Sequence, residues 1–329
     1  MTPGPVLSVV VAAFDAEDTL PDQLSALRDQ RPDVPWEVLV CDNGSRDATR
    51  ELVESWRRHL PELRLVDASA RRGPAAARNI GVAAARAPWI AFCDADDVVG
   101  SGWVDAVLRA LADHEFVAGR FDVERLRGSS RFHVTWSPQL DGLTVRPSLP
   151  GLVTAGAGNM AMHKAVFTAV GGFDEGARTA EDDDLCLRAQ LAGHRLTWVP
   201  SMVLHVRRRS GFASVLRQAY AYGQGARRLE HRYAAVSAAL VAVPSVLVAV
   251  EADAAGSPPV PGGSGAEVSA VPRIERPDRV RRVARRVARV WRPEGLANLT
   301  WRVGWVVGHA SARVDDVPQV AAPPRRATR

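Results

Sequence analysis

The chain has 329 residues, enough for one large α/β unit or two modest domains with a substantial buried core. With 47% hydrophobic and 24% charged residues it has a globular composition, which excludes collagen-like, coiled-coil and wholly disordered architectures. The net charge of +5 conceals a split: residues 1–200 hold 21 Arg/Lys against 28 Asp/Glu, or −7, and residues 201–329 hold 21 against 9, or +12. Two jobs on one chain are expected from such a division.

Met1 leads toward the first apolar run without a basic n-region or cleavage site, so a cytoplasmic chain is expected. Leu7–Phe14 is β-branched, bounded by Pro5 and Asp15, and reads as a buried strand. Thr19–Gln30 carries Leu20, Leu24 and Leu27 at helical spacing. Trp36–Cys41 is a second strand that ends in Asp42-Asn43-Gly44-Ser45, after which Asp47 can cap a helix bearing Leu52, Val53 and Trp56. Leu63–Val66 is a third strand. Gly73–Ala87 reads as a helix that tolerates Pro74 in its first turn, and Trp89–Cys93 is a fourth strand breaking into Asp94-Ala95-Asp96-Asp97. This alternation predicts parallel strands with right-handed crossovers and ligands at the strands' carboxyl ends, where the polar clusters at 42–47 and 94–97 fall.

Further on, Phe116–Val123 and Phe132–Trp136 are strand-like, and His163–Val170 and Asp184–Ala192 are helical. Trp198–Val203 is a last strand leading to His205, and Gly211–His231 is a helix. Ala234–Val250 is apolar but interrupted by Pro244. At about 25 Å it falls short of the roughly 30 Å hydrocarbon core, so it reads as a packed or interfacial helix. Residues 253–278 are rich in Pro, Gly, Ser and Ala, as in a flexible linker. Arg279–Arg292 holds seven arginines opposite Val280, Val283, Val287, Val290 and Trp291, a pattern suited to anionic lipid. Asn298–Ala310 is a further helix, and disorder is expected from Asp315.

The domain plan is therefore a catalytic domain at 1–231, an apolar helix at 232–252, the linker at 253–278, a basic amphipathic region at 279–312 and a disordered tail at 313–329. Residues 1–250 are expected to be soluble and active without the remainder. Three scattered cysteines, Cys41, Cys93 and Cys186, form no CxxC pair, which argues against a disulfide scaffold or zinc ribbon. Aromatics for base stacking are sparse in the Arg-rich end, so no nucleic-acid partner is expected.

Each polar cluster has a chemical reading beside a plainer one. Asp94 and Asp96, two residues apart past a buried strand, can hold Mg²⁺ or Mn²⁺ with room for substrate phosphates, or form a solvated acidic turn. Asp42 and its neighbours suit a base or ribose, or an Asx turn. Arg71, Arg72 and Arg78 near a helix start suit anionic groups of a nucleotide, or sit on the surface. Glu181-Asp182-Asp183-Asp184 fits a helix start by the macrodipole, yet four consecutive acids repel. A nearby cation or a raised pKa must compensate, and a raised carboxyl is a candidate general base. His205 is a candidate metal ligand or phosphate donor.

Taken together, LSVVVAAFDAEDTL, VLVCDNGSRDAT, RRGPAAARNIG, WIAFCDADD, GGFDE and AEDDDLCLR, in this order, resemble the family 2 glycosyltransferases of GT-A fold over roughly residues 6–230. The resemblance implies a Rossmann-like, mostly parallel sheet flanked by helices, with the basic helical extension added. It implies inverting, metal-dependent transfer from a nucleotide-diphosphate sugar, UDP foremost, to an acceptor hydroxyl of a cell-envelope or lipid-linked glycan. Asp15, Asp42 and one of Arg71 and Arg72 would meet the nucleotide. Asp94 and Asp96 would be the DxD pair, with His205 near the metal. Gly171, Gly172 and Phe173 would line the donor-sugar and acceptor pocket, beside Glu181, and Asp182 would be the base. Asp183 adds an acid that this pattern does not need, so the register of the base stays open. The competing readings are a metal-dependent nucleotidyltransferase, disfavoured because Ala12–Asp18 lacks a glycine and a lysine, and a non-catalytic nucleotide-sugar-binding adaptor at the inner membrane face.

Overall fold

The computed structural model describes residues 4–126, 128, 130, 132–134, 138–242 and 292–322. An eight-stranded sheet runs in the order β3-β2-β1-β4-β9-β6-β10-β5. Its strands are β1 (Leu7–Ala13), β2 (Trp36–Asp42), β3 (Leu63–Asp67), β4 (Trp89–Asp94), β5 (Val98–Val99), β6 (Phe116–Asp122), β9 (Met160–His163) and β10 (Thr197–His205), while β7 (Thr144–Val145) and β8 (Val153–Thr154) form a separate pair. The strands β3, β2, β1 and β4 are parallel to one another, β9 is antiparallel to both β4 and β6, and β10 returns parallel to β6.

Alternation along these strands divides the core into two layers. Val9, Val11, Val38, Val40, Ala91 and Cys93 face α1 (Leu20–Arg28), α2 (Thr49–Trp56) and α4 (Trp103–Asp113). Val10, Leu39, Cys41, Ile90 and Phe92 face α3 (Pro74–Ala84), α5 (Lys164–Ala169) and α6 (Glu181–Leu191). A strand covered on both faces is apolar at nearly every position, which is why these segments read as near-continuous runs in the sequence, and the buried exceptions Ser8 and Glu37 satisfy each other at 2.8 Å. Helix α4 is absent from the expectations above, although Trp103, Val104, Val107 and Leu111 recur at helical spacing and are buried.

The sheet's chain order reverses between β1 and β4, and there the strand ends part to leave a crevice. In register, Ala12 lies opposite Asp94 and Ala13 opposite Asp42, so both expected ligand clusters flank the end of β1.

Three local expectations are corrected. Helix α2 begins at Thr49, and Asp47 is not its cap residue; its carboxylate accepts from Thr49 N at 3.1 Å and from Glu17 N at 3.0 Å, tying the helix start to the β1–α1 loop. Phe132–Val134 form no strand. They pack instead against α7 (Phe212–Arg232), with Phe132 and Phe212 ring centroids 6.2 Å apart. The tail is not loose at its start: Val317 is buried, Arg228 pairs with Asp316 at 3.2 Å, and Val320 N donates to Arg232 O at 2.7 Å.

The largest departure concerns the C-terminal extension. Helix α7 is followed by α8 (Ala234–Val241), and α9 (Pro293–Ser311) then lies parallel to α7. Their backbones touch: a Cβ at Gly223 would stand 2.1 Å from Trp305 O, and one at Gly308 would stand 2.0 Å from Tyr220 O. Parallel neighbours cannot be joined by a tight turn, so a long connection between α8 and α9 is a geometric requirement of this pairing. Among the described residues no helix is long and apolar enough to cross a membrane. The linker and Arg279–Trp291 lie outside the described residues.

Candidate active site

The crevice at the end of β1 opens into a cleft of about 1190 Å³. Its floor is the turn after β4, with Asp94, Asp96 and Asp97 side by side. Arg78, buried on α3, donates from Nη2 to Asp94 Oδ1 at 2.6 Å and from Nη1 to Glu181 Oε1 at 3.0 Å. The Phe173 ring supports this guanidinium at 5.5 Å. Arg78 is therefore the clamp that holds the β4 turn against the start of α6, and its charge is spent on protein carboxylates.

The crowding of acids shows in their protonation. Burial, then the Asp94 charge, raises the Asp96 carboxyl. Burial with Asp96 and Asp94 raises Asp97 well above the ordinary range, although Arg207 N donates to Asp97 Oδ1 at 2.8 Å. Glu181 is raised by burial in spite of its pairing with Arg78.

The four acids that open α6 have four different environments. Glu181 pairs with Arg78, Asp183 with Arg146, and Asp184 with Arg188 and Arg232 while also accepting from Tyr233 OH at 2.9 Å. Among the described residues, Asp182 alone of the four has no ion-pair partner. Its oxygens accept from Asp183 N at 2.9 Å and Ala157 N at 3.2 Å. Burial, followed by repulsion from Glu181 and Asp183, pushes its carboxyl up to about 8. Ala180, held at φ 63° before the first turn, swings the chain into this helix, so the carboxylates of 181–183 line the cleft.

Asp15, Arg78, Asp94, Asp96, Glu181 and Asp182 thus meet in one cleft. Asp15 sits at its edge, at φ 46°, with Oδ1 accepting from Arg46 N at 2.7 Å. The other expected residues lie elsewhere. Asp42 is fully buried, paired with Arg50 at 2.8 Å and accepting from Ser45 N at 3.2 Å. His205 turns Nδ1 toward Asp122 at 3.2 Å and does not line the cleft. Arg71 pairs with Glu175 at 2.5 Å, and Arg72 is exposed. Gly171, Gly172, Phe173 and Arg71 line a second cavity of about 700 Å³, which meets the cleft only along Thr179 and Ala180.

The cleft also recruits residues that sequence reasoning missed. Gln218, Tyr222 and Ala226, at i, i+4 and i+8 of α7, face it, as do Trp301, Arg302, Trp305 and Val306 of α9. Tyr222 and Trp301 meet edge to face at 5.5 Å. Burial, then the Asp182 charge, pushes the Tyr222 phenol up to about 12. The spacing of Trp301 and Trp305, with Gly304 and Gly308 beside them, was the available signal. A catalytic unit confined to residues 1–231 would lack this wall.

Residues 8–171 match the family model described as glycosyl transferase family 2. The chain belongs to that family. Among its curated relatives, the pre-mycofactocin glycosyltransferase of Mycobacterium tuberculosis is 34% identical over 185 residues, covering 54% of this chain and 39% of the relative. The succinoglycan biosynthesis protein ExoO of Rhizobium meliloti is 31% identical over 220 residues, covering 62% and 61%. The matched region thus spans less than two thirds of either relative. Among solved structures, the mannosyltransferase PcManGT of Pyrobaculum calidifontis, a complex with GDP-Man and Mn²⁺, aligns with a TM-score of 0.60 at 18% identity over 94% of this chain and 88% of that one. S. aureus TarS aligns at 0.50 and 20% identity over 68% and 64%. Both show the GT-A type of fold that the strand order describes.

Proposed function

We propose that this transferase moves a sugar from a nucleoside diphosphate sugar, UDP foremost, to a hydroxyl of a glycan or lipid-linked acceptor with inversion. Asp182 is the base. One observation carries this reading: among the described residues Asp182 is the single carboxylate of the run without an ion-pair partner, in the cleft that also holds Asp94 and Asp96. A carboxyl raised toward 8 is matched to accepting a proton near neutral pH.

The DxD residues fit a divalent ion. Asp94 Oδ1 is held by Arg78, but Oδ2 faces Gly158, where a Cβ would stand only 2.7 Å away, so the missing side chain keeps space open beside that oxygen. The raised Asp96 carboxyl alongside is an acid pair that gains from a cation. Among the described residues no group of three or more His, Cys, Asp or Glu is arranged to hold a metal ion, so Mg²⁺ or Mn²⁺ would rest on this pair together with substrate phosphates. Asp94 and Asp96 would hold the ion, which supplies charge neutralisation for the leaving diphosphate.

The protein's own part follows from the geometry. Arg78 fixes Asp94 and Glu181 in one frame, so donor and base keep their spacing. Asp15 and the β1 and β2 termini border the nucleotide end. The acceptor hydroxyl enters on the Asp182 side, gives its proton to that carboxylate and attacks the anomeric carbon opposite the departing diphosphate. The test is Mn²⁺-dependent turnover of a panel of UDP- and GDP-sugars. Asp182→Asn should bind donor and not turn it over. Normal turnover by Asp182→Asn would refute the assignment, and binding without turnover by the native protein would favour an adaptor.

A further inference from the structure

Helix α9 presents two faces. The inner one packs on α7 and walls the cleft. On the outer one, Leu299, Val303, Val306 and Val307 recur at i, i+4, i+7 and i+8, and each is between 46% and 59% exposed. Scattered exposed aliphatics are ordinary, but four in one stripe mark an interaction surface. Arg302 is exposed beside the stripe, Arg292 precedes the helix, Arg313 follows it, and Glu294 is its only acid. Val306 and Arg302 also line the cleft, so the stripe begins at the cleft's mouth.

We propose that the outer face of α9 docks the protein on an anionic bilayer. The cleft then opens along the lipid surface. Docking stands independently of the sugar-transfer reading; that an acceptor enters from the lipid side rests on it.

Charge decides the occupant. A second copy would bring Arg292, Arg302 and Arg313 against their own equivalents. The stripe has no aromatic anchor or pocket of the kind that dominates protein interfaces. An aliphatic stripe bordered by arginines is the composition of a helix lying in a lipid interface. Six further arginines precede Arg292 in the sequence from 279 on and add positive charge next to α9. Residues 1–200, at −7, would be held off that surface, with the α7–α9 pair between.

The experiment is co-sedimentation of the full chain with phosphatidylcholine vesicles, with and without about one third phosphatidylglycerol. Binding is expected only with the anionic lipid and should weaken with salt. The triple variant Leu299→Ser/Val303→Ser/Val307→Ser, which leaves the cleft lining untouched, should lose at least about tenfold in vesicle affinity. Its donor-induced thermal shift, measured in parallel, separates failure of docking from failure of the transferase reading. Should that variant unfold, Val303→Cys carrying an environment-sensitive dye replaces it, since the native Cys41, Cys93 and Cys186 are all buried. The dye should blue-shift on anionic vesicles, whereas the same dye at Val34→Cys should not. The proposal is overturned if the chain ignores anionic vesicles at low salt, or if it binds them with no change at position 303. A blue-shift that grows with protein concentration in the absence of lipid would assign the face to a second copy, and one already present at high dilution to the chain's own residues 243–291.

Discussion

Asp182 shows how a single residue acquires its role from its neighbours. Each adjacent acid in the run is neutralised by an arginine, while Asp182 keeps its charge cost. Asp182→Asn should lower turnover by about 10²–10⁴ with donor affinity near native, checked by single-turnover kinetics beside calorimetry. The pH sign follows from the raised carboxyl. Turnover at subsaturating donor should climb with pH through about 8. Stability runs the other way: the folded state binds the extra proton between the ordinary 3.8 and about 8, so stability is full below that window and falls across it as pH rises. Asp182→Asn should therefore be more heat-stable than the native protein at alkaline pH and lose that advantage in acid. Arg78 makes the opposite case. Arg78→Met leaves Asp94 and Glu181 facing each other without their cation, and denaturant unfolding should register a loss of about 3–5 kcal/mol.

At the scale of elements, the α7–α9 contact decides whether the cleft is complete. Helix backbones this close admit only glycine, since a Cβ at Gly308 would overlap a carbonyl of α7. Gly308→Val should cost about 1–3 kcal/mol and impair turnover by moving Trp301 and Trp305. Ala310→Val, on the exposed side of the same helix, should do neither. Differential scanning calorimetry and steady-state rates on the two variants check this. By the same contact, residues 1–250 alone would lack the cleft wall that Trp301 and Trp305 supply. The strands were legible because a doubly covered strand is apolar at nearly every position, and the first four were read to within a residue. Helix α4 went unread although its periodicity is plain. Phe132–Val134, alternating like a strand, instead pack their side chains against α7, a choice made by tertiary contacts.

For the whole molecule, ligand binding should report as stability. With Mn²⁺ and a donor at about a hundred times its dissociation constant, the native state gains about 2.7 kcal/mol, visible as a rise in Tm. Chelation with EDTA, or Asp96→Ala, should remove that rise while leaving the protein folded. An undiminished shift after chelation would argue against the metal role of the Asp94/Asp96 pair.

Sequence alone determined the parallel core, the DxD and acidic-run motifs and the family resemblance, because strand burial and short motifs are local and survive as contiguous patterns. Only the tertiary structure decided which acid stands unpaired, since Arg78, Arg146 and Arg232 reach the run from distant elements. It also set His205 against Asp122 and Phe173 beneath Arg78, contacts that no short motif specifies. The α9 wall was the least legible part. Its residues enter the cleft through a parallel helix pairing across a long connection, and pairing at that distance leaves no periodic trace that a local reading can join.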